Sequence, residues 1–195
     1  MTSTSDYYNV NANEFFDSTN DVDVSPLYQQ FLKRLPANGH ILDAGCGSGR
    51  DSRAFMNLGF SVTAFDASPA LVELAIERNH VSAEVATFES FTVEDETFDG
   101  IWACASILHV LAKDVQLTID KLAKALKMDG NFYLSFKYGS GERNVTGRHF
   151  TDLDEESLRN LLANLPNLQL VKFWLTDDAR PDRKEQWLNV ILQKT

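Results

Sequence analysis

Three glycines at alternate positions are the feature of this chain best suited to bind a ligand. An apolar run ends at Asp43, and Gly45, Gly47 and Gly49 follow before a predicted helix. Glycine lets the backbone turn sharply and lets a ligand approach the main-chain N–H groups without a Cβ in the way. The helix N-terminus beyond favours a negatively charged group. A tight turn without a ligand is the alternative, but such a turn needs fewer glycines, so the segment predicts a binding loop.

The spacing of these glycines and two acids narrow the choice of ligand. A dinucleotide-binding loop reads G-x-G-x-x-G, which would require glycine where this chain has Arg50. The carboxylate of Asp43 would repel a pyrophosphate but attract an ammonium group. Asp66 ends the next predicted strand, about 20 residues beyond, where an acid hydrogen-bonds the two hydroxyls of a ribose. Together these residues predict a nucleoside that carries an amino acid.

The elements that must position these residues alternate along the chain. Short apolar runs are separated by segments of helical periodicity, which is typical of a parallel sheet with helices on both faces. Proline after Ser68 and after Ser25 predicts two helix starts, and the apolar stripe over residues 115–126 predicts a helix that stops at Asp129 and Gly130. No helix separates the last two strands, so they should pair antiparallel. The predicted strands are residues 40–44, 61–65, 83–86, 98–103, 131–136, 168–175 and 187–192.

Composition limits the class of protein. The chain has 195 residues and a net charge of −10, so we expect one domain and expect neither a nucleic acid nor an anionic membrane as partner. No apolar stretch is long enough to span a bilayer, and the first residues do not resemble a signal peptide. Cys46 and Cys104 define neither a disulfide framework nor a metal site. We therefore expect no metal and a reducing, cytoplasmic compartment.

Three segments of the chain resemble the successive motifs of a known family. Residues 43–49, 65–68 and 98–109 are similar to those of class I S-adenosylmethionine-dependent methyltransferases. Within that family the chain resembles the small-molecule, tellurite-resistance-type enzymes. The resemblance implies a Rossmann-like three-layer α/β sandwich, with a seven-stranded, mostly parallel sheet and an antiparallel C-terminal hairpin strand. It also implies S-adenosylmethionine as cofactor, S-adenosylhomocysteine as product and a small-molecule methyl acceptor.

The resemblance further assigns roles to single residues. It puts the glycine loop against the methionine part of the cofactor, Asp66 on the ribose hydroxyls and Ala67 beside the adenine. The third motif departs from the family pattern, because Thr87 stands where an acid commonly reads the adenine amino group, which leaves the main-chain N–H of Phe88 to reach the ring. The implied cofactor-binding set is Asp43, Gly45, Cys46, Gly47, Gly49, Asp66, Ala67, Thr87, Phe88 and Ala103.

Two segments outside these motifs are candidates for the acceptor site. The single domain divides into an N-terminal helical cap segment, 1–37, and a cofactor-binding core, 38–195, which includes a lid loop at 137–150. The cap carries Tyr7 and Tyr8, whose rings either close over a sulfonium or fix a helix to the core.

The predicted lid loop gathers cations within an acidic chain. Lys137, Arg143 and Arg148 follow a predicted strand on the active-site side, and they suit an anionic acceptor. A solvated loop without ligand contacts is the alternative reading.

His109 is the candidate catalytic residue. In the resembled fold the end of the fourth strand faces the methyl group, so His109 is placed to remove a proton from an acceptor that must lose one. Packing within a turn is the alternative role for this histidine. The leading interpretation is methyl transfer to a small molecule by a monomer or homodimer. Two other functions stay open: a non-catalytic module that binds S-adenosylmethionine and acts through a partner, and a nicotinamide-dependent oxidoreductase.

Overall fold

A seven-stranded sheet lies at the centre of the computed structural model, which describes residues 3–195. The strands in chain order are β1 (His40–Ala44), β2 (Ser61–Asp66), β3 (Ala83–Val85), β4 (Phe98–Ala103), β5 (Leu126–Lys137), β6 (Gly141–Val145), β7 (Arg148–Asp152), β8 (Leu168–Asp177) and β9 (Gln186–Lys194). The sheet has the order β3-β2-β1-β4-β5-β9-β8, and β6 and β7 form a separate hairpin.

The direction of the strands confirms the predicted topology. Strands β1 to β5 pair in parallel, whereas β9 runs antiparallel to both β5 and β8. The chain leaves β1 toward β2 on one side and returns through β4 on the other, so the strand order reverses between β1 and β4. In an open α/β sheet such a switch point leaves a crevice at the carboxyl ends of the strands, where ligands bind.

Helices cover both faces of this sheet. They are α1 (Thr4–Val10), α2 (Ala12–Thr19), α3 (Ser25–Leu32), α4 (Arg50–Asn57), α5 (Pro69–Asn79), α6 (Ala112–Lys124) and α7 (Glu155–Leu162). On one face α3 and α4 pack Phe31 and Phe55 against Trp102 of β4 and Tyr133 of β5. On the other face α6 and α7 contribute to the larger apolar cluster. No helix within residues 3–195 has the length and apolar character needed to cross a membrane.

Two predicted helix boundaries differ in the structure. Ser68 caps α5 as expected, because its Oγ accepts from the N–H of Leu71. Ser25, in contrast, is the first residue of α3 rather than its cap. The helix expected to stop at Asp129 ends at Lys124 instead, because the chain enters β5 directly and bulges there, with Asp129 at a φ of +63°.

The predicted lid loop is a β-hairpin rather than an irregular segment. Val145 and Arg148 are paired, so the turn contains only Thr146 and Gly147. Both turn residues have positive φ, +49° and +83°, which is the backbone of the two-residue turns that match the twist of paired strands. Gly147 thus closes a hairpin.

Candidate active site

A cavity of about 590 Å³ opens at the carboxyl ends of the parallel strands. Its walls come from the glycine loop after β1, the end of β2, the segment after β4, helix α1 and the β6–β7 hairpin. The cavity brings together most residues that the sequence analysis singled out: Tyr8, Gly45, Cys46, Gly47, Asp66, Ala67, Thr87, Phe88, His109, Lys137, Arg143 and Arg148.

The glycine loop is fixed from beneath by hydrogen bonds. The N–H groups of Gly45 and Cys46 both donate to the Phe65 carbonyl oxygen at 2.9 Å. Ser106 Oγ donates to the Ala44 carbonyl oxygen at 2.6 Å. Gly45 has a φ of +80°, and a Cβ built on it would lie 2.5 Å from the Cβ of Ser106. This position therefore needs glycine both for its conformation and for the close approach of Ser106.

Asp66, the last residue of β2, accepts two main-chain hydrogen bonds at the edge of the cavity. Its Oδ2 accepts from the N–H of Gly47 and its Oδ1 from the N–H of Ser68, each at 2.8 Å. Burial raises the pKa of this carboxyl above its usual value, and these N–H groups oppose the shift. The bonds orient the carboxylate, while each oxygen keeps a lone pair for a ligand hydroxyl.

The wall predicted to face adenine is mainly aromatic. The Phe88 ring meets the Phe65 ring edge to face, with centroids 5.5 Å apart. Thr87 Oγ1 accepts from the N–H of Ser90 at 3.1 Å, and Ser90 Oγ accepts from the N–H of Thr87 at 2.9 Å. The Thr87 side chain thus closes a local turn, and Phe88 supplies the flat surface of this wall.

Asp43 lies behind the glycine loop and does not line the cavity. It is buried, and Ser52 Oγ donates to its Oδ2 at 2.6 Å. Burial, together with the neighbouring Asp51 carboxylate, raises the pKa of Asp43 to about 8. In the structure this residue supports the loop from the rear.

Three further predicted residues also lie outside the cavity wall. Gly49 caps the N-terminus of α4 with a φ of +81°, and a Cβ there would lie 3.0 Å from that of Ala75, so this glycine permits α4 and α5 to pack closely. Ala103 is fully buried in the sheet. Tyr7 packs against the guanidinium of Arg148, with 4.4 Å between Cζ and the ring centroid.

A buried carboxylate at the floor of the cavity was missed by the sequence analysis. Asp51 Oδ1 accepts from the Tyr28 hydroxyl and from Arg50 Nε, each at 2.6 Å, and Oδ2 accepts from Trp102 Nε1 at 2.7 Å. Although burial favours the neutral form, the Arg50 guanidinium and these bonds hold the pKa of Asp51 below its usual value. An acid in the first turn of a helix is common, so the sequence gives no signal for this buried carboxylate. Only its bonds to Tyr28 and Trp102, far away in the chain, distinguish Asp51.

His109 is bonded through both ring nitrogens. Its Nδ1 lies 2.6 Å from the His149 carbonyl oxygen, and its Nε2 lies 3.0 Å from the Tyr8 hydroxyl oxygen. Because a carbonyl only accepts, Nδ1 carries the proton and Nε2 accepts from Tyr8. Burial lowers the pKa of His109 to about 4, helped by the charge of Arg148 and opposed by the bond to the His149 carbonyl. Burial also raises the pKa of Tyr8, so the pair is uncharged at neutral pH.

The three cations predicted for the acceptor site have different surroundings. Lys137 Nζ donates to a carboxylate oxygen of Glu185. Arg143 Nε donates to Asp152 Oδ2 at 2.5 Å. Within residues 3–195, Arg148 has no carboxylate within 4.0 Å of its guanidinium. The sequence presents three similar cations, but the structure neutralises two of them.

Helix α1 lines the cavity and is hydrogen-bonded to two different walls of it. Next to the glycine loop, Asn9 Oδ1 accepts from Ser68 Oγ at 2.7 Å. At the hairpin, Thr4 Oγ1 accepts from the N–H of His149 at 3.0 Å. With the Tyr8 bond to His109, these contacts make α1 a wall of the site.

Both cysteines line the cavity as thiols rather than thiolates. Burial raises the pKa of Cys104 to about 12 and that of Cys46 well above its usual value. Neither is therefore poised as a nucleophile. The part of the chain that the structure describes holds no group of three or more His, Cys, Asp and Glu residues arranged to bind a metal ion.

The sequence is similar to methyltransferases from β1 to the start of β5. Residues 41–130 match a family described as a methyltransferase domain. Ubiquinone biosynthesis O-methyltransferase from Xanthomonas axonopodis pv. citri (strain 306) is 33% identical over 106 residues, which are 51% of this chain and 44% of that protein. The similarity thus covers less than half the length of that relative.

Solved structures share the fold over nearly the whole chain. Burkholderia thailandensis 1,6-didemethyltoxoflavin-N1-methyltransferase, solved with 1,6-didemethyltoxoflavin and S-adenosylhomocysteine bound, is 24% identical with a TM-score of 0.73, covering 100% of this chain and 92% of that one. The [4+2]-cyclase SpnF is 15% identical with a TM-score of 0.77, covering 98% and 97%. A protein named as a cyclase thus has the same fold, so the reaction must be argued from the site.

Proposed function

We propose that this chain transfers a methyl group from S-adenosylmethionine to a small-molecule acceptor, because residues 41–130 match a methyltransferase domain and the chain shares the fold of a solved methyltransferase. One observation carries the proposal. The glycine loop and Asp66 line the same cavity as His109, Tyr8 and the hairpin, so a cofactor at one end and an acceptor at the other would meet inside it.

The residues at the loop end suit S-adenosylmethionine. Gly45 and Gly47 present backbone without side chains, and the Asp66 carboxylate is held by two N–H groups while still able to accept from ribose hydroxyls. Phe88 offers a ring face for a planar base. Arg50, the cavity cation that follows the glycine loop, is already paired with Asp51 and is not free to bind a pyrophosphate, which disfavours a nicotinamide dinucleotide.

The protein's part in the reaction is mainly positioning. Bound S-adenosylmethionine supplies a methyl group on a sulfonium, which needs no further activation. The walls of the cavity have to align the acceptor atom with that methyl group and exclude water. In well-oriented reactions such alignment lowers the barrier by up to about 7–11 kcal/mol. Helix α1 and the hairpin, which lie on opposite sides of His109, are suited to both tasks.

His109 remains the candidate general base, in a role narrower than the sequence alone predicts. Its Nε2 is neutral at pH 7 and so able to accept a proton, but the Tyr8 hydroxyl already occupies it. A depressed pKa also makes the imidazole a weak proton acceptor. We propose that a methyl acceptor passes its proton to His109 through the Tyr8 hydroxyl. A methyl acceptor that is already ionised needs no base. The tellurite-resistance-type resemblance, the cytoplasmic location and the monomeric or dimeric state stay predictions.

Cofactor binding tests the proposal directly. In calorimetric titrations with S-adenosylhomocysteine, Asp66→Asn and Asp66→Ala should weaken binding about 10- to 100-fold, because a hydrogen bond to a charged group contributes about 1.5–3 kcal/mol. Glu84→Ala, at an exposed position of the neighbouring strand β3, is the matched control and should bind like the wild type.

Two results would contradict the proposed function. NADH that binds tightly while S-adenosylhomocysteine does not would favour an oxidoreductase. Binding of S-adenosylmethionine with no S-adenosylhomocysteine released, across a broad panel of small acceptors, would instead favour a non-catalytic binding module.

A further inference from the structure

Six cationic side chains line the cavity, and five of them have a carboxylate partner. Each paired cation lies within 4.0 Å of an acid: Arg50 with Asp51, Lys137 with Glu185, Arg143 with Asp152, Arg180 with Asp178 and Arg183 with Asp182. Arg148 is the sixth, and no carboxylate among residues 3–195 pairs with it. Its positive charge is the one that the cavity leaves uncompensated.

The surroundings of Arg148 are aromatic instead of acidic. Its Cζ lies 4.4 Å from the ring centroid of Tyr7, 5.3 Å from that of Phe150 and 6.0 Å from that of Tyr8. These rings hold the guanidinium plane in place. Its Nε is buried and has no hydrogen-bond partner in the described chain, and one terminal nitrogen donates to Thr146 Oγ1 at 3.4 Å.

A buried donor without a partner costs free energy comparable to a lost hydrogen bond, and more when the group is charged. Natural structures rarely retain such a group without a reason. A guanidinium presents its donors in a planar fork that matches two oxygens of one anionic group. Because the buried Nε is closed to a ligand, the unpaired charge of Arg148, which lines the cavity, fits an oxyanion supplied from outside the chain and bound through the terminal nitrogens.

The location of Arg148 places that oxyanion at the acceptor end. Arg148 lies close enough to the Tyr8–His109 pair for its charge to act on both groups. The Phe150 ring is also 4.9 Å from the His109 ring, centroid to centroid. A ligand group at Arg148 would thus lie near the Tyr8 and Phe150 rings and beside the candidate base.

We propose that Arg148 anchors the acceptor through an oxyanion, a carboxylate or an ionised hydroxyl, carried on a planar aromatic ring. This inference rests on the proposed function, because it takes the occupant of this end of the cavity to be the methyl acceptor. It separates Arg148 from Lys137 and Arg143, whose charges the protein itself neutralises. Arg148 is then the residue that selects anionic over neutral acceptors.

The test uses simple aromatic probes on the full chain with saturating S-adenosylhomocysteine. Benzoate represents a carboxylate, 4-nitrophenol at pH 8 represents an ionised hydroxyl, and benzamide is the neutral match for benzoate. The wild type should bind at least one of the two anions 10-fold or more tightly than benzamide. The anion that binds more tightly identifies which oxyanion the site takes.

Substitutions then locate the effect. Arg148→Gln should weaken binding of the preferred anion at least 10-fold and leave benzamide within about 2-fold. Arg148→Lys, which keeps the charge but loses the planar fork, should give an intermediate loss. Arg143→Gln is the matched control, since it removes a cavity arginine that is already paired, and it should change anion binding less than 3-fold. Thermal unfolding and near-UV circular dichroism of each variant report whether the hairpin remains folded.

The inference would be overturned by a wild type that binds neither anion better than benzamide, or by an Arg143→Gln variant that loses as much anion binding as Arg148→Gln. A folded Arg148→Gln with wild-type anion affinity would overturn it as well. The same preparations are titrated with S-adenosylhomocysteine. If the wild type does not bind S-adenosylhomocysteine but still prefers the anion, the proposed function is contradicted and the oxyanion site is not. If it binds S-adenosylhomocysteine but shows no anion preference, only the oxyanion site is contradicted.

Discussion

The two ends of the cavity are built in different ways. At the end lined by the glycine loop, contacts join neighbouring parallel strands: the loop N–H groups reach Phe65 and Asp66 at the end of β2. At the end around His109, the contacts join segments far apart in the chain. There Tyr8 of α1 bonds His109, and His109 bonds the backbone of the hairpin at His149.

The difference separates what is common to the fold from what is particular to this chain. Parallel strands bring their carboxyl ends to one edge whatever the helices between them do, so the loop end needs little beyond the sheet. The His109 end depends on a helix of seven residues and a two-stranded hairpin, neither of which is stable in isolation. We therefore expect a substitution in the glycine loop to lower the free energy of unfolding more than a matched substitution in the hairpin.

Gly45→Ala should have the largest effect. The new Cβ would lie 2.5 Å from Ser106 Cβ, and the residue would keep a φ of +80°. Left-handed backbone costs about 1–2 kcal/mol and overpacking about 1–3 kcal/mol, so we expect a loss of about 2–5 kcal/mol in the free energy of unfolding, measured by urea denaturation.

The hairpin offers a matched control for that substitution. Gly141 has a φ of +85°, but no atom lies within 4 Å of a Cβ built there. Gly141→Ala should therefore show only the backbone cost of about 1–2 kcal/mol. Equal losses in the two variants would mean that the close approach of Ser106 contributes nothing to the requirement for glycine at position 45.

The loop end is also the part that could be predicted from the sequence. Its residues lie in continuous motifs, where each apolar run ends in an acid or a glycine, and parallel pairing follows from the alternation of strands and helices. The parallel sheet and the antiparallel β8–β9 pair were predicted correctly on that basis. Asp43 shows the limit, because spacing does not say that its side chain turns behind the loop toward Ser52.

The other end was not predictable in the same way. In the structure Lys137 is paired with Glu185, and Arg143 with Asp152. Nothing near Arg148 in the sequence shows that it lacks such a partner among residues 3–195. The Tyr8 bond to His109 joins residues 101 positions apart. Such contacts depend on how α1 and the hairpin pack, and local patterns of hydrophobicity do not specify that packing.

The two ends should also respond differently to acid. His109 has a pKa of about 4 in the folded protein against about 6.5 when unfolded. The unfolded chain therefore binds a proton first, so this group's contribution to stability is complete above pH ~6.5 and is lost as the pH falls toward 4. The loss is on the order of 3 kcal/mol. Asp66 has a raised pKa, so its contribution has the opposite sign and falls as the pH rises.

The difference between His109→Gln and the wild type isolates the histidine. In denaturation curves from pH 4 to 7, the variant should lose less stability on acidification than the wild type does. His80→Asn is the control: this exposed residue ends α5 in the left-handed conformation, which asparagine tolerates. Parallel pH curves for His109→Gln and the wild type would show that His109 is not buried in the neutral form.

Helix α1 joins the two ends and allows the smallest effects to be compared. Tyr8→Phe removes the bond to His109, and Asn9→Ala removes the acceptor for Ser68 Oγ. Each bond contributes about 0.5–1.5 kcal/mol, and a helix this short opens without unfolding the sheet. We expect faster amide hydrogen exchange at residues 7–10 in both variants, with the free energy of global unfolding changed by less than about 1 kcal/mol. Asn13→Ala, which removes an exposed bond from Arg78 to α2, should leave exchange in α1 unchanged. If only one of the two variants loosens α1, the helix belongs to that end of the cavity and does not join the two.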